Sequence, residues 1–160
     1  MTRMIVVYTL ILGMTQQDKC VEISRLCTVF NLRKASRAMT RMYDEDIASS
    51  GLRANQFTML VALCRAAPAK ISRLAEVLGA DRSTLTRNLA PLERDGLIAS
   101  TAGRDRRARV FTITQKGSAV LEKAIPLWEQ AQRRAVEGLG YGRWRGFLDD
   151  LSAAAELARR

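Results

Sequence analysis

Residues 71–100 read ISRLAEVLGADRSTLTRNLAPLERDGLIAS, and the fold turns on them. Ile71 to Leu78 carries apolar side chains at helical spacing. Gly79, Ala80 and Asp81 then make a tight corner into a second helical run, Arg82 to Arg94. At about 100° per residue, Leu85, Leu89 and Leu92 fall within roughly 60° of arc and define the inward face of that second helix. Ser83, Arg87, Ala90, Pro91 and Arg94 point away from it, with Thr84 and Thr86 on the shoulders. The pattern is a helix-turn-helix with hydroxyls and an arginine outward near the start of its second helix. A helix that enters a major groove needs short polar side chains at that end, where free amides favour phosphate, and an arginine able to fork onto guanine O6 and N7. Ser83, Thr84, Thr86 and Arg87 are therefore the candidate recognition residues. Lys70 and Arg73, placed on the first helix of the motif, are candidates for DNA-backbone contacts. On an isolated helix the same hydroxyls would be read as caps and the arginines as solvated charges. Pro91 removes the amide that would bond the carbonyl of Arg87, so the helix is expected to bend there or end early.

Downstream, Asp95-Gly96 closes the second helix. Leu97 to Thr101 and Arg109 to Ile113 read as the two strands of a hairpin. Between them, residues 102–109 (AGRDRRAR) place Arg104, Arg106, Arg107 and Arg109 around the single acid Asp105. Narrow minor grooves concentrate negative potential and attract inserted arginine, which gives such a loop a physical task. Asp105 suits the orienting of a neighbouring arginine better than it suits phosphate. Residues 65–110 hold ten Lys/Arg against five Asp/Glu, half of the +10 excess of the whole chain. The charge is concentrated where the motif is.

Working outward, Cys20 to about Ala48 repeats apolar residues every three or four positions and is expected to be one long amphipathic helix with Asp18 as its N-cap. Ser49, Ser50 and Gly51 stop it, and Asn55 opens a shorter, nearly all-apolar helix, Gln56 to Arg65. Thr114 is the expected N-cap of a third long helix, which Pro126 should bend. Gly138, Gly140 and Gly142 then separate it from a final amphipathic helix. The expected fold is mainly α with a small β-hairpin wing: a winged helix-turn-helix flanked by N- and C-terminal dimerisation helices. Its parts are residues 1–19 as an N-terminal extension, 20–50 as a dimerisation helix, 51–114 as the DNA-binding core, and 115–160 as C-terminal dimerisation helices. The long flanks carry apolar stripes that the small core cannot cover, so a homodimer is expected.

Composition removes whole classes of chemistry. The 160 residues are 48% hydrophobic and include no histidine, which excludes Ser-His-Asp and Cys-His catalysis and imidazole ligation. There is no glycine-rich phosphate loop and no metal-spaced cysteine set, so no enzyme activity, metal or cofactor is expected. Cys20, Cys27 and Cys64 are odd in number and form no CxxC, consistent with a reducing, cytoplasmic setting. The apolar run from Met4 to Met14 is too short, at about 1.5 Å per helical residue, to span about 30 Å of hydrocarbon, so no membrane association is expected. It reads as a strand-like arm, or as sequence ahead of a start at Met14.

Residues 71–100, followed by GRDRRARVFTITQKG at 103–117, resemble the winged helix-turn-helix core of MarR-type bacterial transcription regulators. The resemblance covers about residues 23–159. It implies homodimers with intertwined terminal helices, recognition helices in successive major grooves of a pseudo-palindromic operator, and a wing arginine in the minor groove. Position by position it assigns Ser83, Thr84, Thr86 and Arg87 to recognition and Asp105 with Arg107 to the wing. It further implies release by a small phenolic or aromatic carboxylate ligand, for which Tyr43, Phe57 and Trp128 would line a pocket and Arg37 would meet a carboxylate. Some relatives instead sense oxidants through cysteine. The position before Phe30 that carries this cysteine in the hydroperoxide-sensing branch is Val29 here, while Cys27 and Cys64 fall on apolar faces. Cys20, near a helix start, is the remaining redox candidate. The expected function is a homodimeric, sequence-specific, double-stranded-DNA-binding regulator, a repressor released by a small ligand. The alternatives are an architectural DNA- or RNA-binding protein and an oxidant-sensing regulator acting through Cys20.

Overall fold

The computed structural model describes residues 14–102 and 109–158. The chain divides into two compact units, one ending at Arg41 and one beginning at Met42. The apolar arm at residues 4–14 lies, apart from Met14, outside the described residues.

In the first unit the expected single helix is two. Helix α1 (Gln16–Leu26) begins earlier than expected. Thr15, not Asp18, is its N-cap, with the Thr15 hydroxyl accepting from the Asp18 amide at 3.2 Å. Cys27 leaves the helical region (φ −69°, ψ 115°), and α2 (Thr28–Ile47) starts after it. The cause lies one turn on. Asn31 Nδ2 donates to the carbonyls of Ser24, Arg25 and Cys27 at 3.2, 3.1 and 3.0 Å, satisfying the orphan acceptors of a helix end. An apolar stripe cannot reveal such a break, because the spacing of three and four runs straight through it.

In the second unit a short 3-10 turn (Ala48–Ser50) and Gly51 lead to α3 (Ala54–Ala66). Two side chains close its start. Asp44 Oδ1 accepts from the Ala54 amide at 2.6 Å, and Gln56 Oε1 accepts from the Arg53 amide at 2.9 Å. The helix therefore begins two residues before the expected Gln56. A strand β1 (Ala69–Lys70) runs directly into α4 (Ile71–Leu78). Gly79 takes φ +59°, and the Ala80 amide reaches back to the Ala75 carbonyl at 3.0 Å. This left-handed cap makes the corner of the helix-turn-helix. Helix α5 (Arg82–Arg94) follows. Its Leu85, Leu89 and Leu92 are at most 2% exposed, as their angular clustering requires.

Neither internal proline ends its helix: α5 runs through Pro91 to Arg94, and α6 (Gln115–Leu139) runs through Pro126. The carbonyls that lose a partner belong to Arg87 and Glu122, both solvent-exposed residues. Strands β2 (Ile98–Ala102) and β3 (Arg109–Ile113) pair antiparallel, with Ser100 opposite Phe111. β1 pairs on the other edge of β3, Ala69 opposite Phe111, so the hairpin is the larger part of a three-stranded sheet in the order β1-β3-β2. Gly140 alone separates α6 from α7 (Tyr141–Leu157). Ile47, Leu60, Leu63, Leu74, Leu97, Ile98, Phe111 and Leu121 join the α5 leucines in one core beneath the motif.

Two polar junctions hold the sheet in place. At the base of the hairpin, the Thr114 hydroxyl caps α6 by accepting from the Gly117 amide at 3.0 Å. It also lies 2.8 Å from the Gly96 carbonyl, to which it donates, and the Thr114 amide bonds the Leu97 carbonyl at 3.1 Å. A Cβ at position 117 would stand 2.0 Å from the Leu97 carbonyl oxygen, so only glycine fits. At the far end of α5, Arg109 Nη2 bonds both oxygens of Glu93 at 2.7 and 2.9 Å. Ser100 Oγ donates to Glu93 at 2.6 Å, Arg109 also contacts Ser100 Oγ, and the guanidinium lies 5.3 Å from the Phe111 ring centre. The Ser100 hydroxyl and Arg109 together hold the Glu93 carboxyl below its ordinary value.

The junctions generate two tests. Gly117→Ala should destabilise by about 1–3 kcal/mol through overpacking and lower Tm by several degrees. Gly138→Ala, whose added Cβ meets nothing within 4 Å, should gain up to about 1 kcal/mol from helix propensity. Equal melting of the two variants would remove the steric argument. Because the folded carboxyl of Glu93 is lowered, its contribution is full at pH values above the ordinary glutamate range. It is lost as pH falls through the lowered value. Glu93→Gln should therefore lower stability by about 0.2–1 kcal/mol at neutral pH. In acid-titrated melts, the gap to the parent protein should narrow.

Candidate nucleic-acid interface

The N-terminal turn of α5 presents the recognition candidates on its solvent side. Ser83, Thr86 and Arg87 are exposed, while Thr84 is half-buried. Asp81, just before the helix, organises this turn. Its Oδ1 accepts the Ser83 hydroxyl at 2.6 Å and the Thr84 amide at 2.8 Å. These hydrogen bonds, led by that from Ser83, hold the Asp81 carboxyl well below the usual carboxylate range, so it stays ionised. Thr86 donates to the Arg82 carbonyl at 2.7 Å, and Arg87 Nη2 reaches Thr84 Oγ1 at 3.3 Å. The turn is a fixed array of polar groups standing clear of the leucine face.

The backbone-contact candidates need one correction. Lys70 lies not on the first helix of the motif but on β1, opposite Val110, where a two-residue strand leaves no periodicity for a sequence to show. It borders an open groove of about 340 Å³ between β1, the first turn of α4, α5 and β3, together with Ser72, Arg82, Thr86 and Arg109. Arg73 is on α4 as expected, but its guanidinium is paired with Glu76 at 2.8 Å and lines a different groove, with Arg65. Sequence reasoning missed Ser72 and Arg82, which share the Lys70 groove. The signal was present in Arg82, a cation at the first position of the recognition helix.

Of the wing, Arg104, Asp105, Arg106 and Arg107 lie outside the described residues. Arg109, grouped with them by sequence, is the first residue of β3, opposite Ala102, and is engaged with Glu93.

Of the candidate effector residues, Tyr43, Phe57 and Trp128 lie in the second unit and Arg37 in the first. Phe57 is in the core and stacks on Trp128 with ring centres 6.1 Å apart. The Tyr43 hydroxyl donates to Gln132 Oε1 at 2.7 Å, and burial, helped by the charge of Asp46, pushes its pKa above the ordinary tyrosine value. Asp46 Oδ1 accepts from Arg134 Nη1 at 2.6 Å, while its Oδ2 is buried and has no hydrogen-bond partner among the described residues. Arg37, on α2 in the first unit, is exposed. Cys20 is exposed on α1 and Cys27 half-buried. Cys64, expected on an apolar face, is exposed as well, because it falls on the outer side of α3. Among the described residues no helix is long and apolar enough to cross a membrane, and no three His, Cys, Asp or Glu side chains gather as a metal site.

Known proteins share this arrangement. A family model described as the HVO_A0261 N-terminal domain matches residues 44–135. The M. tuberculosis transcriptional regulator MosR, solved in complex with DNA, is 37% identical with a TM-score of 0.74; the match covers 84% of this chain and 99% of that one. CouR of Rhodococcus jostii RHA1, a transcriptional repressor solved on a 23-mer DNA duplex, is 28% identical with a TM-score of 0.74, covering 84% of this chain and 95% of that one. The organic hydroperoxide resistance transcriptional regulator of Bacillus subtilis is 29% identical over 105 residues, 65% of this chain and 70% of that protein. With the helix-turn-helix, the flanking sheet and the long outer helices in the same order along nearly the whole of MosR, the chain belongs to the MarR family of winged helix-turn-helix transcriptional regulators.

Proposed function

We propose that this chain is a homodimeric, sequence-specific repressor that binds a pseudo-palindromic double-stranded operator and is released by a small aromatic or acidic ligand. One observation carries the DNA reading. Three fully packed leucines hold α5 on one side while Ser83, Thr86 and Arg87 stand exposed at its leading end, beside a cationic groove. Ser83, Thr84, Thr86 and Arg87 act on base edges, and Lys70 and Arg73 on phosphates. The arginines and acid of the wing, Arg104, Asp105, Arg106 and Arg107, act in the minor groove. MosR and CouR, both solved on DNA, support this reading, and CouR supports repression.

The dimer rests on uncovered apolar side chains. In the first unit Val21, Ile23, Leu26, Val29 and Phe30 are 48–63% exposed, and on α7 Tyr141 and Leu157 are 68% and 74% exposed. Apolar stripes of this kind on long helices are buried by a second copy. Residues 20–50 and 115–160 are the dimerising parts and 51–114 the DNA-binding core.

For the effector, the orphan Asp46 Oδ2 calls for a donor, which a ligand hydroxyl or protonated acid would supply. Tyr43 and Gln132 lie beside it, and Trp128 sits one helical turn before Gln132 on α6.

Band-shift titration at two salt concentrations tests the main reading. Affinity should survive random competitor DNA and fall with log salt at a slope of about −0.9 per phosphate neutralised. Arg87→Ala should relax preference at particular bases, and Lys70→Ala should weaken all sequences alike; equal loss on all DNA from both would count against the assignment. Sedimentation equilibrium should return twice the chain mass, and a single-chain mass would end the operator model. A panel of phenolic and benzoic acids should include one that releases the DNA, with Asp46→Asn shifting its midpoint by about tenfold. An unshifted midpoint would place the ligand elsewhere.

A further inference from the structure

The first turn of α5 has a hydrogen-bonding polarity, and it limits which bases the turn can read. Ser83 spends its one hydroxyl proton on Asp81 at 2.6 Å, and Thr86 spends its own on the Arg82 carbonyl at 2.7 Å. Both outward hydroxyls are left with lone pairs only. Asp81 is an exposed, ionised acceptor at the very tip. An ionised carboxylate has roughly four acceptor positions, and the Ser83 hydroxyl with the amide and hydroxyl of Thr84 leave at least one of them open. One turn on, Arg87 has the opposite character. It donates only, and one of its five N–H groups is engaged, with Thr84 at 3.3 Å.

In a major groove the only donors on base edges are the exocyclic amines, cytosine N4 and adenine N6; guanine O6 and N7 and thymine O4 accept. A carboxylate is repelled by phosphate, so its tolerable place on a duplex is over a base edge. We infer that Asp81 and Ser83 are specificity-determining residues that take the exocyclic amine of a cytosine or adenine, while Arg87 takes a guanine. Residues 83 and 87 are about 6 Å apart along the helix axis, so the two bases should lie within about two base steps. This rests on the reading of α5 as the DNA-recognition helix.

The test selects bound duplexes from a random pool with the full chain and with Asp81→Asn and Ser83→Ala. Asparagine also caps helices but sets an NH₂ donor beside its acceptor oxygen, so Asp81→Asn should remain folded and move a half-site position selected as C toward A, T or G. In the selected duplex, replacing that cytosine by 2-pyrimidinone, or that adenine by purine, deletes only the amine. The deletion should weaken the parent protein about tenfold and Asp81→Asn less than about twofold. Identical selected sites for all three proteins, or equal sensitivity to amine loss, would overturn the inference and leave the DNA reading standing. No enrichment by the parent protein would overturn both.

Discussion

The structure of the second unit depends on one crowded carbonyl, that of Leu97. It accepts the Thr114 amide, lies 3.1 Å from the Thr114 hydroxyl, and sits so close to Gly117 that a single methyl group there would collide with it. The end of the recognition helix, the root of β2 and the first turn of α6 are therefore tied to the same few atoms. Lys116 adds a fourth strand to the knot by donating to the Asp95 carbonyl at 2.8 Å. A packed junction of this kind transmits displacement instead of absorbing it. Movement of α6, the helix that carries Trp128, Gln132 and Arg134, must be felt at the base of the wing. That gives a physical route by which a ligand beside Asp46 would change the geometry presented to DNA.

The two acids that bracket α5 divide the labour of the interface. Asp81 caps the leading end and sets the polarity of the exposed turn. Glu93, near the trailing end, receives Arg109 and Ser100 and so ties the helix to the sheet. Both carboxyls are held below their ordinary values by hydrogen bonds to hydroxyls and, for Glu93, by an arginine as well. Each is an anion placed on a surface read as polyanion-binding, a combination that a count of net charge treats as a defect. In the proposed reading Asp81 faces base edges, while Glu93 keeps its partner cation with it.

Much of this was legible in residues 71–117. The leucine triplet, the glycine corner, the outward hydroxyls and the Thr114 cap are local, since each follows from periodicity or from one side chain acting on its own backbone. The readings that failed were those in which a side-chain or strand contact outside an element's own periodicity decides a local outcome. Asn31 breaks a helix whose apolar stripe is continuous. Asp44 starts α3 from ten residues upstream. Val110 and Phe111 turn Ala69 and Lys70 into a strand. Glu93 takes Arg109 out of the group of wing arginines.

From the sequence alone came the class of molecule: a basic, histidine-free, mainly helical chain with a helix-turn-helix, a following hairpin, and leucines that orient its second helix. Helical and strand periodicity, turn glycines and charge are properties of neighbours along the chain, and they need no folding to be read. Only the tertiary structure decided which cations are spent inside the protein and which remain for DNA. It also decided why position 117 must lack a side chain. Those outcomes depend on atoms brought within 3 Å by packing, and no spacing rule along one strand of sequence contains that distance.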